Sequence, residues 1–321
     1  MNILITSAGQ RVSLIKAFKK ELADVSMSAK VYTTDANPIL APACHISDKF
    51  FKVPSISDAN FLKIVLSICK ENNISILIPT IDTELLIFSN AKEEFLQSGI
   101  KIVISNRGFI EKCRDKRKTN YLFTQYGIDI PEQYPEKNYK FPLFAKPFNG
   151  SLSKDLHVIK SKQDLDNFDN SDNNFMLMEY IDSADYDEYT VDAYYDKNSS
   201  LICAVPRRRM VVRAGEINKG VTKKNILGKI FLEKLSFLTG AIGCVTIQLF
   251  LHKNLDTVKG IEINPRFGGG YPLSYCAGAN YPKFILKEYI FNEKLSYYDE
   301  WIENLLMLRY DDEVIIRNYN D

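Results

Sequence analysis

Glu262, Asn264 and Arg266 sit at every second position of the run Thr257–Tyr271, Thr-Val-Lys-Gly-Ile-Glu-Ile-Asn-Pro-Arg-Phe-Gly-Gly-Gly-Tyr. Alternation predicts a strand with Ile261 and Ile263 on one face and Glu262 and Asn264 on the other. Pro265 cannot continue a ladder and ends it. A carboxylate and an amide oxygen at a strand end, followed by an arginine and a glycine loop, are suited to a hard cation and to phosphate oxygens. The plainer alternative is an edge strand with a wet outer face and a loose turn.

Other stretches carry matching chemistry. Gly243–Leu251 alternates so that Gln248 lies opposite an apolar face, and the short connection His252–Leu255 pairs this strand with the next. Gln248, Glu262 and Asn264 would then share one surface. Lys146 stands on a strand, Pro142–Pro147, that leads into the polar loop Asn149–Lys154. That loop reads as an ordinary hairpin turn or as a cradle offering backbone N–H groups to phosphate, and Lys146 favours the second. Its prolines predict that the strand is an edge. Arg207-Arg208-Arg209 reads as surface charge or, with Arg207 and Arg209 on one strand face, as an anion clamp. Asp82 and Thr83 read as helix caps or ligand contacts. Ala214–Lys224, flanked by glycines, reads as a mobile polar segment.

The elements that must position these residues fall into a rhythm. Residues 1–108 alternate strands and helices: strands at Ile3–Thr6, Lys30–Thr34, Ile74–Pro79 and Lys101–Ser105, helices at Val12–Leu22, Phe61–Asn72 and Leu85–Gln97. This predicts a parallel, doubly wound sheet that binds ligands beyond the carboxyl ends of its strands. Only Gly9 stands where a dinucleotide fingerprint needs three glycines, which argues against a nicotinamide cofactor. A helical connector at 109–135 follows, then strands rich in aromatic and β-branched residues, among them Phe175–Ile181 and Glu188–Tyr195. Helices are expected at Leu227–Thr239 and Leu273–Phe291, and a last strand within Leu305–Arg317.

Composition sets the limits. The 321 residues, 45% hydrophobic and 25% charged, are those of an ordinary globular chain. A formal charge of +1 gives no electrostatic case for nucleic acid or an anionic membrane. The six cysteines form no C-x-x-C pair and the three histidines are far apart, so neither a structural zinc site nor a disulfide framework is expected. No apolar run approaches a membrane span and no signal core precedes the first strand, so a cytoplasmic location is expected.

Taken in order, these motifs resemble the ATP-grasp superfamily, in the branch similar to the large subunit of carbamoyl phosphate synthetase. They are Asp115-Lys116 on the connector, Lys146-Pro147 before a small-residue loop, Met178-Glu179-Tyr180-Ile181, then Gln248 and Glu262-x-Asn264-x-Arg266. The resemblance covers residues 1–291. It implies an α/β plus α+β chain: a doubly wound pre-ATP-grasp domain (1–108), a connector and small subdomain (109–181), and a large subdomain (182–321). It also implies roles. Lys116, with Lys118 as the alternative, and Lys146 would reach ATP phosphates. Gly150, Ser151 and Ser153 would form the phosphate flap. The backbone of Glu179, Tyr180 and Ile181 would read adenine, and Glu188 would accept from the ribose hydroxyls. Gln248, Glu262 and Asn264 would hold one or two Mg2+, with Mn2+ as a substitute. Arg266 would stand behind the transferred phosphoryl group, and Arg207 would bind anion. Gln248 departs from the acidic residue common at its position, and Lys154 stands where a glycine is usual.

The implied reaction is ATP-dependent activation of a small carboxylate as an acyl phosphate, followed by attack of an amine. The alternatives are a half-subunit that phosphorylates bicarbonate or carbamate with a partner, and a nucleotide-binding sensor without turnover. Acceptor and amine are not named by the sequence. Oligomeric state is open, a homodimer included.

Overall fold

The computed structural model describes residues 1–134, 139–149, 155–169, 174–213 and 215–319. The chain opens with β1 (Asn2–Ile5), α1 (Val12–Val25), β2 (Val31–Asp35), α2 (Pro42–Ile46), β3 (Lys49–Lys52), α3 (Phe61–Glu71) and β4 (Ile74–Ile78). It continues with α4 (Asp82–Asn90), α5 (Lys92–Gln97) and β5 (Lys101–Ile102). The five strands form a sheet in the order β3-β2-β1-β4-β5, with every neighbour parallel. Strand pleating feeds both faces. Ile3 and Ile5 join a core with Leu14 and Phe18 of α1, while Leu4 and Leu77 join another with Phe61 and Val65 of α3. The sheet is therefore doubly wound. Its chain order reverses between β1 and β4, so the loops after these two strands flank the crevice where such sheets bind ligands.

Two details depart from the sequence expectation. The helix expected at Leu85–Gln97 is two helices meeting at Ala91. β3 was not anticipated; its residues are mostly exposed and it lies at the sheet edge, where little burial is needed to hold a strand.

The connector is also split, into α6 (Arg107–Arg114) and α7 (Lys116–Gln125). Asp115 adopts extended backbone and its carboxylate accepts from Arg117 N–H at 2.9 Å, capping α7. A small antiparallel sheet comes next: β6 (Leu143–Pro147), β7 (His157–Ile159), the short helix α8 (Lys162–Asp166) and β8 (Phe175–Glu179). Contrary to the edge expectation, β6 is the middle strand, ordered β7-β6-β8. Pro142 precedes the strand and Pro147 is its last residue, so neither removes a donor from its interior.

The large sheet is built from β9 (Tyr186–Tyr195), β10 (Leu201–Arg213), β11 (Glu216–Thr222), β12 (Gly243–His252), β13 (Val258–Asn264) and β14 (Leu306–Leu308), with helices α9 (Ile226–Lys234), α10 (Tyr271–Cys276) and α11 (Tyr281–Tyr289). Its order is β13-β12-β9-β10-β11-β14, antiparallel throughout. One face carries Val191, Ala193, Val245, Ile247 and Leu249 into a core under α7 and α9. Glu216–Thr222, expected within a mobile segment, is a strand held on both sides, by β10 and by β14. Ala214 lies outside the described residues. Tyr194, Tyr271 and Tyr281 share one core with Ile3, Ile5 and α1, so the first sheet and the large sheet are packed together. Among the described residues no helix is long and apolar enough to cross a membrane.

Candidate active site

The polar face of the large sheet gathers most of the residues singled out above. Glu262 pairs with Gln248, Gln248 with Thr190, and Thr190 with Arg207, making one row across β13, β12, β9 and β10. The next row runs Asn264, Thr246, Asp192. Gln248, Glu262 and Asn264 are thus neighbours on adjacent antiparallel strands, as alternation predicted. The apolar half of that expectation needs correcting. The β12–β13 register slips between Gln248 and Leu249, leaving Ile261 as the unpaired extra residue of a β-bulge. Ile263 enters the core, whereas Ile261 faces the cavity on the polar side.

That cavity, about 340 Å³, lies between the small sheet and the large one. Lys116, Lys146, Glu179, Tyr180, Ile181 and Glu188 line it, and Gln248 and Glu262 close one end. Its walls are apolar where Phe144, Met178, Phe250 and Ile261 approach. Sequence reading missed these walls, although Phe144 and Met178 are register partners on β6 and β8. Gly150, Ser151 and Ser153, expected to cover the phosphates, lie outside the described residues, as does Lys154.

Local structure explains the two lysines. Lys116 opens α7, and its N–H donates to Phe148 O at 3.0 Å, tying the helix start to the end of the Lys146 strand. Lys118 is exposed and takes no part in the lining. Lys146 is 5% exposed. Burial, and then the charge of Lys116, push its ammonium down to about 8.

Two carboxylates that line the cavity are engaged by the chain itself. The Glu179 carboxylate holds Lys259 Nζ at 2.5 and 2.7 Å and accepts from Glu132 N–H at 3.0 Å. The N–H of Glu179 in turn donates to Glu132 O at 2.7 Å. Glu188 lies 3.2 Å from Arg209 Nε, and burial raises its carboxyl pKa against the pull of that arginine.

The two arginines expected to act on anions differ sharply. Arg207 is 1% exposed and gives two hydrogen bonds to Asp192, Nε at 2.7 Å and Nη2 at 2.9 Å. Asp192 also accepts from Ser274 Oγ at 2.6 Å. Arg207 is therefore locked in the sheet rather than presented as an open clamp, because a buried carboxylate two residues along β9 competes for it. Among the described residues its Nη1 has no hydrogen-bond partner, and it lies against Gly270, where a Cβ would fall 2.2 Å from it. Arg266 instead reaches the first sheet. Its Nε and Nη2 both donate to Asp82 Oδ2, at 2.9 and 2.6 Å. Asp82 thus serves as an ion-pair partner rather than as the cap of α4; Glu84 accepts from the N–H groups of Thr80 and Ile81 at 2.6 and 3.1 Å. The glycine loop admits this chain's own side chains: Arg207 at Gly270, and Glu216, whose Oε1 would lie 2.4 Å from a Cβ on Gly269.

A second cavity, about 270 Å³, lies on the other side of the glycine loop, between Ser7–Leu14 of the first sheet and Gly268–Pro272. Arg11, Glu216 and Arg309 border it. Arg309 Nη1 donates to Glu216 Oε2 at 2.8 Å and Nη2 donates to Gly269 O. None of the three was singled out as a site residue in the sequence. Arg309 follows β14, 93 residues after Glu216, and nothing local announces their meeting.

Comparison with known proteins bears on the fold. Residues 3–103 match the model of the PylC-like N-terminal domain, and residues 171–307 that of the "ATP-grasp in the biosynthetic pathway with Ter operon" family. Similar solved structures include the biotin carboxylase domain dimer of Hydrogenobacter thermophilus 2-oxoglutarate carboxylase, in complex with MgADP, ADP and bicarbonate. It is 12% identical with a TM-score of 0.72, over 94% of this chain and 72% of that one. Campylobacter jejuni biotin carboxylase is 15% identical with a TM-score of 0.71, over 95% and 74%. L-amino acid ligase from Bacillus licheniformis is 17% identical with a TM-score of 0.66, over 89% and 73%. No curated protein sequence matches the chain. Residues 171–307 thus match an ATP-grasp family model, and the chain as a whole shares the fold of these carboxylases and this ligase.

Proposed function

We propose that the protein is an ATP- and Mg2+-dependent ligase that activates a carboxylate as an acyl phosphate and passes the acyl group to an amine. The observation that carries this reading is convergence: Lys116, Lys146, Glu179–Ile181, Glu188, Gln248 and Glu262, far apart in sequence, line one cavity, and Asn264 and Arg266 border the adjoining one.

In this reading adenine lies between Phe144, Met178, Phe250 and Ile261, against the backbone of Glu179–Ile181. Glu188 faces the ribose. Lys116 and Lys146 hold the phosphates as point charges. The donor set Gln248, Glu262 and Asn264 is all oxygen with one carboxylate. It suits Mg2+, which keeps few protein ligands and shares its shell with substrate phosphates. Among the described residues no group of three or more His, Cys, Asp and Glu could compete as a softer metal site. Bound there, the ion would neutralise charge on the β- and γ-phosphates.

An oxygen of the acceptor carboxylate attacks the γ-phosphorus, and the bond to the β-phosphate oxygen breaks to release ADP. Arg266, oriented by Asp82, faces the transferred phosphoryl oxygens. The amine nitrogen then attacks the acyl carbon, phosphate leaves, and the nitrogen loses a proton. Arg207, fixed by Asp192, supports the glycine loop beneath this exchange.

ADP formation measured with ATP, Mg2+ and panels of carboxylic acids and amines tests the reading. Wild-type protein releases ADP with at least one acid, and Glu262→Gln lowers the rate by about a thousandfold or more. Equal rates in the two proteins contradict the metal assignment; no ADP with any acid contradicts the ligase.

A further inference from the structure

Arg266 is held from outside its own sheet, by Asp82 at the start of α4. The short turn that leads from β4 to Asp82 is itself pinned from several sides. Arg11 Nη2 donates to Thr80 O at 3.0 Å, and Arg114 Nη1 donates to Asp82 O at 2.7 Å. Thr80 Oγ1 shares its proton between Thr6 O at 2.8 Å and Ser7 O at 2.9 Å.

At the centre of these contacts is Glu84, which is fully buried. One of its oxygens accepts from the N–H groups of Thr80 and Ile81 at 2.6 and 3.1 Å, and the other from Ser7 Oγ at 2.8 Å. The first two bonds belong to the start of α4 and are what a helix cap supplies. The third comes from 77 residues earlier, at the end of β1. Ser7 takes left-handed backbone, φ 50°, which is uncommon outside glycine and needs support from its surroundings. Glu84 thus ties the ends of β1 and β4 together where the chain order of the first sheet reverses. Burial raises its carboxyl pKa against the pull of these bonds. What the turn uses is therefore the pair of acceptor oxygens rather than the charge.

Glu84 borders none of the cavities described above, so it has no direct contact with a ligand there. Its route to the chemistry runs through Asp82, two residues before it. Asp82 takes both Arg266 bonds on a single carboxylate oxygen. A shift of the turn by an ångström would lengthen both bonds together and release the arginine.

We propose that Glu84 is a positioning residue for phosphoryl transfer: its carboxylate fixes the Thr80–Ile81 turn, the turn aims Asp82, and Asp82 holds Arg266 toward the transferred group. The inference rests on the ligase reading and adds to it a residue of the first sheet that acts at a distance. A cap alone would make Glu84 matter for stability and nothing more. The link from Ser7 through Glu84 and Asp82 to Arg266 makes it matter for the γ-phosphoryl group.

Calorimetric titration tests this without an acceptor acid. Full-length protein is titrated with MgADP and, separately, with the magnesium complex of a non-hydrolysable ATP analogue, AMPPNP, which carries the γ-phosphoryl group. Glu84→Met removes the acceptor oxygens and should weaken AMPPNP by about tenfold, the scale of a hydrogen bond to a charged group, with MgADP within about twofold of wild type. Asp82→Asn should do the same. The double variant should be no worse than Asp82→Asn alone, because both act through one contact. Glu84→Gln, which keeps one acceptor oxygen, should restore most of the loss. Glu84→Asp, which keeps the charge and shortens the reach, should weaken AMPPNP in the same direction and serves if Glu84→Met fails to fold. A Glu84 variant that folds and binds both nucleotides like wild type overturns the proposal. So do equal losses for AMPPNP and MgADP, and so do losses that add in the double variant. Wild-type protein that binds neither nucleotide removes the ligase reading, and the proposal with it.

Discussion

The two cavities on either side of the glycine loop are assembled in opposite ways. The cavity on one side, which adjoins the proposed nucleotide cavity, takes most of its polar residues from strands of the large sheet, with Glu262, Gln248, Thr190 and Arg207 in one row. The cavity on the other side takes Arg11 from the loop after β1, Glu216 from the β10–β11 hairpin and Arg309 from beyond β14. A row of side chains on one sheet follows from pleating, so it is fixed as soon as the strands pair. A cluster from three separate elements depends on how those elements dock. In the proposed reading the metal-binding row is thus fixed by strand pairing, whereas the cavity beyond the glycine loop depends on how separate elements dock.

The comparison is broken most severely at the buried pair beneath the sheet row. Asp192→Asn leaves the Arg207 guanidinium in the core without its counter-charge. Chemical denaturation should show a loss of about 3–5 kcal/mol. A loss under about 1 kcal/mol would mean that water or another group reaches Arg207 and that the row is less rigid than described.

A smaller effect is expected where the two regions touch. Asp82→Asn removes the charge that holds Arg266 across from the first sheet. The turnover number should fall about tenfold, the scale of a hydrogen bond to a charged group, with MgADP affinity unchanged. A fall in MgADP affinity with unchanged turnover would assign Arg266 to the nucleotide rather than to the transferred group.

The smallest effect concerns Lys146. Its ammonium, pushed down to about 8, is lost as the pH rises through that value, and only the charged form attracts phosphate. MgADP affinity should therefore fall by about threefold between pH 7.5 and 8.5, as expected for one titrating group. Lys146→Met should bind weakly at both pH values and show no such slope. The same slope in that variant would assign the titration elsewhere.

The difference between the cavities also decides what could be read in the sequence. Alternation along β12 and β13 was enough to put Gln248, Glu262 and Asn264 on one face, because the side-chain period of a strand is local; Glu188 was legible only through the family resemblance. The bulge at Ile261 was not legible: it is a slip against β12, and its own residues still alternate. The strand at Glu216–Thr222 was hidden by Gly215, Gly220 and Lys219, poor strand formers whose extended state comes from pairing with β10 and β14. The capture of Arg207 by Asp192 needed a register between two strands that no motif specifies. Arg309 and Glu216 meet only once β14 docks against β11.

A structure of the protein with MgADP tests the central claim most directly. The account predicts the base between Phe144 and Ile261, the phosphates at Lys116 and Lys146, and the metal within ligand distance of Glu262 and Asn264. Nucleotide bound instead at the Ser7–Arg11 loop, or metal held away from Glu262, would contradict it.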